Sequence, residues 1–127
     1  MKLKWGASTD VGMVRQQNED SYLAEENLYV VADGMGGHNA GEVASALAVT
    51  TLKAGARSGI DTVERFRELV QQANTAIYTA SLDDSTQSGM GTTLTALSIV
   101  TGEEPRVLVA NVGDARTYLW RNGALTR

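Results

Sequence analysis

The chain contains no cysteine and a single histidine. The first absence excludes a disulfide framework, a thiolate zinc site and any chemistry that uses a cysteine nucleophile. The second excludes a multi-histidine metal site. Any metal must then be held by oxygen, which selects Mg²⁺, Mn²⁺ or Ca²⁺. Basic residues are too few and too scattered for a nucleic-acid partner: 11 Lys and Arg stand against 15 Asp and Glu, a net charge of −4, and phosphate backbones need clustered positive charge. A membrane surface is equally unsupported. No apolar run approaches transmembrane length. The start, Met1-Lys2-Leu3-Lys4-Trp5, carries charge with no apolar segment behind it, so no signal peptide is expected and a cytoplasmic location is the default. There are no repeats, low-complexity tracts or linkers. Residues 1–127 are read as one unit, with 43% apolar residues to build a modest core.

What is present is acidic and glycine-rich. Val30-Val31-Ala32-Asp33-Gly34-Met35-Gly36-Gly37-His38 delivers an aspartate from an apolar run into a glycine turn, and a helical pattern follows. Such a strand end fixes a hard oxygen ligand and leaves the backbone open to close approach. Upstream lies Arg15-Gln16-Gln17-Asn18-Glu19-Asp20 and downstream Asn111-Val112-Gly113-Asp114-Ala115-Arg116. Three acidic clusters beside glycine or arginine suggest divalent cations holding a phosphate.

Periodicity organises the rest. Leu3, Trp5 and Ala7 alternate as an opening strand. Ser21–Ala24 and Leu28–Ala32 flank Glu25-Glu26-Asn27 as a hairpin, its second arm apolar on both faces and expected to be central and buried. A helix is predicted from about Ala40 to Ala54, ended by Gly55, Ser58 and Gly59. A second follows from Asp61 as N-cap, with Glu64 completing a capping box, to near Leu82. Asp84 to Met90 reads as flexible. Strands are expected over Thr93–Val100, Arg106–Val112 and Arg116–Arg121, the last two joined tightly through Gly113-Asp114. Asn122-Gly123 signals a hairpin turn back into Ala124-Leu125-Thr126. The order ββ-αα-βββ predicts an α+β fold with helices on one face of an antiparallel sheet.

The individual residues are open to more than one reading. Asp33 could end a strand as a turn residue, yet its carboxylate would then sit unpaired at the rim of a core, where charge is costly. Glu19 and Asp20 precede a strand and point to opposite faces, so only one can face a site. Arg15 has a planar fork suited to phosphate, or it pairs with Glu19 or Asp20. His38 has the intrinsic pKa to protonate a leaving alkoxide, although a lone histidine at a helix start is commonly a surface residue. Asp114 in its Gly-Asp turn has a local hydrogen-bonding role open to it. Gly36-Gly37 before a helix fits neither a P-loop nor a dinucleotide fingerprint.

Taken together, Ser8-Thr9-Asp10-Val11-Gly12 with Arg15 and Asn18-Glu19-Asp20, then Asp33-Gly34-Met35-Gly36-Gly37-His38, then Gly91-Thr92-Thr93, then Val112-Gly113-Asp114-Ala115-Arg116 resemble the metal-dependent Ser/Thr protein phosphatases of type 2C, in their bacterial style. The resemblance runs from Trp5 to Arg127. It implies the N-terminal half of a two-sheet antiparallel β-sandwich flanked by helices, in αββα layers, within a catalytic domain roughly twice this length. It implies two Mn²⁺ or Mg²⁺ ions, Asp33 bridging them, the Gly34 carbonyl and Asp20 as further ligands and Glu19 as an outer group. A third, weaker cation would sit at Asp114. Arg15 would hold the substrate phosphate, and the reaction would be hydrolysis of phosphoserine and phosphothreonine in proteins.

Two further aspartates of that metal centre, in Asp-Gly and Asp-Asn settings, belong to the family's second half and have no match here. The 127 residues are therefore expected to be inactive alone. Asp10, Gly12, Gly91, Thr92, Thr93, Asn111 and Arg116 are expected to hold turns and sheet edges. The alternatives are a non-catalytic metal- or phosphoprotein-binding regulatory module and a half-domain completed by a second chain. Uncovered strands would also favour self-association.

Overall fold

The computed structural model describes residues 3–127. β1 (Asp20–Glu25) and β2 (Leu28–Met35) form an antiparallel hairpin, followed by α1 (Ala40–Ala56) and α2 (Val63–Asp83). A single 3-10 turn at Ser85–Gln87 leads to β3 (Gly91–Thr92), β4 (Leu94–Val100) and β5 (Arg106–Val112). The main sheet has the order β1-β2-β4-β5, with β3 paired to the far end of β2. β6 (Leu119–Arg121) and β7 (Ala124–Thr126) make a separate two-stranded ribbon. Its turn has Asn122 and Gly123 both at positive φ, the geometry that an Asn-Gly hairpin favours. The α+β architecture expected from the sequence is present, with two helices covering one face of an antiparallel sheet.

That covered face is the core. Leu28, Val30 and Ala32 of β2 and Leu94 and Ala96 of β4 pack against Ala48 and Leu52 of α1 and Phe66, Leu69 and Ala73 of α2. Small residues let the helices lie close. Gly55 is inside α1 and does not end it, contrary to expectation. A Cβ there would come within 2.1 Å of Leu69 Cδ2, so this glycine is where α2 presses onto α1. The helix ends at Ala56, and the chain turns away through Ser58 and Gly59, the latter at φ +86°, as expected for those two residues. α2 is capped by Thr62 and not by Asp61. Thr62 is extended and its hydroxyl accepts from Arg65 N at 3.1 Å.

Four other expectations are corrected. The opening residues from Leu3 onward form no strand. They cross the sheet's other face, where Trp5 meets Tyr29 edge-on at 6.2 Å between ring centroids. β2 is central, as expected, but it is covered on one face only: Val31 is 50% exposed. Residues 116–118 are irregular, and β6 pairs with β7, not with β5. Thr117 hydrogen-bonds through its hydroxyl to that of Thr95 on the sheet's open face, so this segment passes over the sheet and does not extend it.

Finally, Asp33-Gly34 does not terminate β2. The strand continues through Gly34 and Met35, which pair with Thr92 and Gly91. Gly34 is needed because the first turn of α1 lies directly on it. A Cβ at Gly34 would sit 1.9 Å from the Gly41 carbonyl oxygen, backbone against backbone. Gly34→Ala is therefore expected to cost about 3 kcal/mol, whereas Gly37→Ala, with nothing within 4 Å, should stay within about 0.5 kcal/mol. Urea melts of the two variants compare them directly, and equal midpoints would mean that strand and helix part freely.

The open face carries Val31, Val107 and Val109, each at least half exposed, and β5 ends the sheet with Arg106 as its only charge. Exposed apolar sheet faces and unguarded edges promote association. Light scattering with dye binding should show dimers or larger species, reduced by Val109→Lys. A monodisperse, dye-silent wild-type chain would mean that this face is closed after all.

Candidate metal centre

Antiparallel pairing brings the three acidic clusters to one end of the sheet. β1 begins there, β2 ends there, β4 begins there and β5 ends there, and the loop into α1 leaves from the same end. Asp20 and Asp33 are direct cross-strand partners. Facing residues in a register share a face, so both carboxylates stand on the side away from the helices. Both are exposed. Asp114 follows Gly113, at the end of β5. By ordinary strand spacing this is roughly 10 Å across from Asp33.

The backbone around the pair is tied down. Asp33 N donates to Thr93 Oγ1 at 3.3 Å and Asp33 O accepts from Thr93 N at 2.9 Å. Asp10 accepts from Gly12 N at 2.7 Å, and Asn111 Nδ2 donates to Gly113 O at 3.2 Å. Thr93, Asp10 and Asn111 therefore do hold turns and sheet edges.

Glu19 points the other way from Asp20, towards α1. Its Cδ and Oε1 lie 2.8 Å from where a Cβ on Gly41 would stand, and the Gly34 backbone carbon lies 2.9 Å from the same point, so a side chain there would press on both the Glu19 carboxylate and the strand backbone. Its carboxylate thus lies against the first turn of α1, at the positive end of the helix, where the N-cap residue Asn39 supplies no side-chain hydrogen bond. Gly34 is buried, and its N–H donates to Glu19 O at 3.2 Å. His38 is exposed in the loop between β2 and α1, and His38 and Asn39 both take left-handed backbone angles, φ 52° and 65°. Consecutive non-glycine residues there are uncommon and strained. Arg15 is exposed in the segment before β1 and has no ion-pair or hydrogen-bond partner among the described residues.

Electrostatics at the pair are unfavourable as they stand. Burial raises the Asp20 pKa, and the neighbouring Asp33 carboxylate raises it further by charge repulsion and by sharing a proton; Glu19 adds to the repulsion. Two carboxylates facing each other across a strand pair are a natural seat for a divalent ion, and hard oxygen donors fit Mn²⁺ or Mg²⁺. The fit is that of part of a centre: no group of three or more His, Asp or Glu side chains converges among the described residues.

Comparison with known proteins is decisive at the level of the family. The pattern describing protein phosphatase 2C matches residues 13–127. The chain belongs to the protein phosphatase 2C family. It is 41% identical over 98% of its length to the serine/threonine protein phosphatase PstP of Mycobacterium tuberculosis, of which it spans 24%. It is 38% identical over 92% of its length to the serine/threonine phosphatase stp of Listeria monocytogenes, of which it spans 50%. The PstP catalytic domain solved in complex with two manganese ions superposes with a TM-score of 0.82 at 41% identity, covering 91% of this chain and 50% of that one. The chain thus spans between a quarter and half of these curated relatives.

Ser45, whose hydroxyl donates to Glu19 O at 2.6 Å, and Ser21, 2.9 Å from it, lie next to the site but outside every sequence motif. The readable signal was a serine within the alanine-rich apolar face of α1. Asp20 also carries a pH consequence. Its folded-state pKa is raised, so the folded chain holds more protons than the unfolded one, and stability falls as pH rises above the ordinary carboxylate value of 3.8. In chelator at neutral pH, Asp20→Asn should raise the unfolding free energy slightly, by about a few tenths of a kcal/mol after solvent screening, read from urea melts. The gain should vanish at pH values below that window. A loss of stability at neutral pH would show that the pair is already compensated.

Proposed function

We propose that this chain carries one side of the metal centre of a Mn²⁺- or Mg²⁺-dependent phosphatase acting on phosphoserine and phosphothreonine in proteins. One observation carries the reading: Asp20 and Asp33 face each other across β1 and β2, with no cationic side chain paired to either among the described residues, at the sheet end where the family motifs converge. The two manganese ions in the PstP catalytic domain support it. In this reading Asp33 and Asp20 hold the cations, the Gly34 carbonyl adds a ligand, and Asp114 holds a third, weaker ion. Glu19 remains an outer group against α1.

A bound pair of divalent cations supplies activation of water and neutralisation of phosphoryl oxygens. Arg15 orients the phosphate through its planar fork. His38, as the imidazolium, would give its proton to the departing serine or threonine oxygen and be left as neutral imidazole. The partners are phosphorylated proteins, and the location is the cytoplasm. The two-carboxylate cluster favours a half-site, completed by the remainder of a catalytic domain spanning about twice these residues.

Calorimetric titration tests this. Mn²⁺ should bind weakly, because two carboxylates and a carbonyl leave most octahedral positions to water, and Asp33→Asn should abolish the binding. Hydrolysis of a phosphothreonine peptide with millimolar Mn²⁺ should be negligible. Sub-micromolar binding that survives Asp33→Asn would sink the site assignment. Robust turnover lost in Asp33→Ala would show that these 127 residues suffice.

A further inference from the structure

The peptide unit joining Glu19 to Asp20 is held at both of its polar atoms. Its carbonyl, Glu19 O, accepts from Ser45 Oγ at 2.6 Å and from Gly34 N at 3.2 Å. Its N–H, on Asp20, donates to Asn18 Oδ1 at 3.0 Å, and Asn18 Nδ2 donates onward to Thr9 Oγ1 at 2.8 Å. The same Gly34 whose N–H reaches Glu19 directly follows Asp33. One carbonyl therefore links the backbones that carry both carboxylates.

Ser45 is fully buried in α1, beside Ala44, Ala48 and Leu52. A hydroxyl has one proton to donate. Glu19 O is its nearer acceptor, while Glu42 O, one turn back in the helix, stands at 3.2 Å. With the proton committed to Glu19 O, the 2.9 Å contact with Ser21 Oγ must be donated by Ser21. The chain runs Ser21 Oγ to Ser45 Oγ to Glu19 O. A hydroxyl buried on an apolar helix face costs stability unless it is bonded, and alanine would serve α1 packing as well as its neighbours do. What Ser45 adds is a grip on the strand that presents Asp20.

We propose that Ser45 is a positioning residue for the Asp20–Asp33 pair, setting the orientation of the 19–20 peptide and with it the spacing of the two carboxylates. The inference rests on reading that pair as cation ligands. Mn²⁺ and Mg²⁺ demand near-ideal octahedral geometry, so a small rotation of this peptide is felt in affinity. Groups that orient metal ligands through a hydrogen bond are typically worth about 10- to 100-fold in metal binding.

The test is Mn²⁺ titration by calorimetry, with melting temperature measured alongside, on wild type, Ser45→Ala, Ser98→Ala, Asn18→Ala and Asp33→Asn. Ser98 is the matched control. It is also buried, at 2% exposure, and donates to a carbonyl, Ile60 O at 3.3 Å, but it pairs with Leu28 at the opposite end of the sheet. Ser45→Ala should weaken Mn²⁺ binding about tenfold, while Ser98→Ala lowers the melting temperature comparably and leaves affinity unchanged. Asn18→Ala acts on the same peptide from its exposed side and should weaken binding too, which keeps the test decisive if Ser45→Ala fails to fold. Wild-type affinity in Ser45→Ala and Asn18→Ala, with binding abolished by Asp33→Asn, would overturn the positioning role alone. Unchanged binding in Asp33→Asn would overturn the metal reading and this role with it.

Discussion

The contact on which the rest depends is backbone against backbone: the first turn of α1 lies on the end of β2, at Gly41 and Gly34. Neither position has room for a Cβ. Because the two main chains touch, α1 runs across the sheet at a fixed height, and its alanine face together with Leu52 closes over Leu28, Val30 and Ala32. The same closeness brings Ser45 within reach of Glu19 O and leaves the Glu19 side chain in the slot beside Gly41. Helix placement and carboxylate placement are thus one event. A wider helix–strand separation would loosen the core and release the Glu19–Asp20 peptide together.

Chain topology does the remaining gathering. Asp20, Asp33 and Asp114 are far apart in sequence, yet an antiparallel order in which β1 and β4 start where β2 and β5 end puts all three at one rim. The acids then sit at strand ends, where side chains reach solvent while their backbones remain in ladders. Repulsion between Asp20 and Asp33 is tolerated because the scaffold beneath them is packed. Such local conflict on a consistent framework is the expected mark of a functional site.

The two faces of the sheet are unequal, and the site belongs to the bare one. Helices bury the side with Val30, Ala32 and Ala96, while Val31, Val107 and Val109 are left open on the other. Asp20 and Asp33 share that open face. If the pair holds a cation as proposed, further oxygen ligands would approach from there, since α1 lies against the opposite side. This asymmetry agrees with a chain that spans about half the length of the Listeria phosphatase it matches.

Much of this was legible in the residues. The hairpin about Glu26-Asn27, the long α2, the Asn122-Gly123 turn and the motif order follow from local periodicity and turn chemistry, which depend on near neighbours in sequence. So did the opposed directions of Glu19 and Asp20, because adjacent strand residues alternate. Other features needed tertiary contact. Gly34 and Gly55 read as breakers but are close-approach sites inside elements, since what excludes their side chains is another segment: Gly41 in one case, Leu69 in the other. Trp5 looked like part of a strand and instead rests on Tyr29, because alternation marks a half-buried segment without naming what buries it. Sequence alone determined which oxygen atoms are available and in what order the chain presents them. Only the tertiary structure decided that Asp20 stands opposite Asp33 and that a buried serine holds the peptide joining Glu19 to Asp20, because both facts are distances between segments that no local pattern encodes.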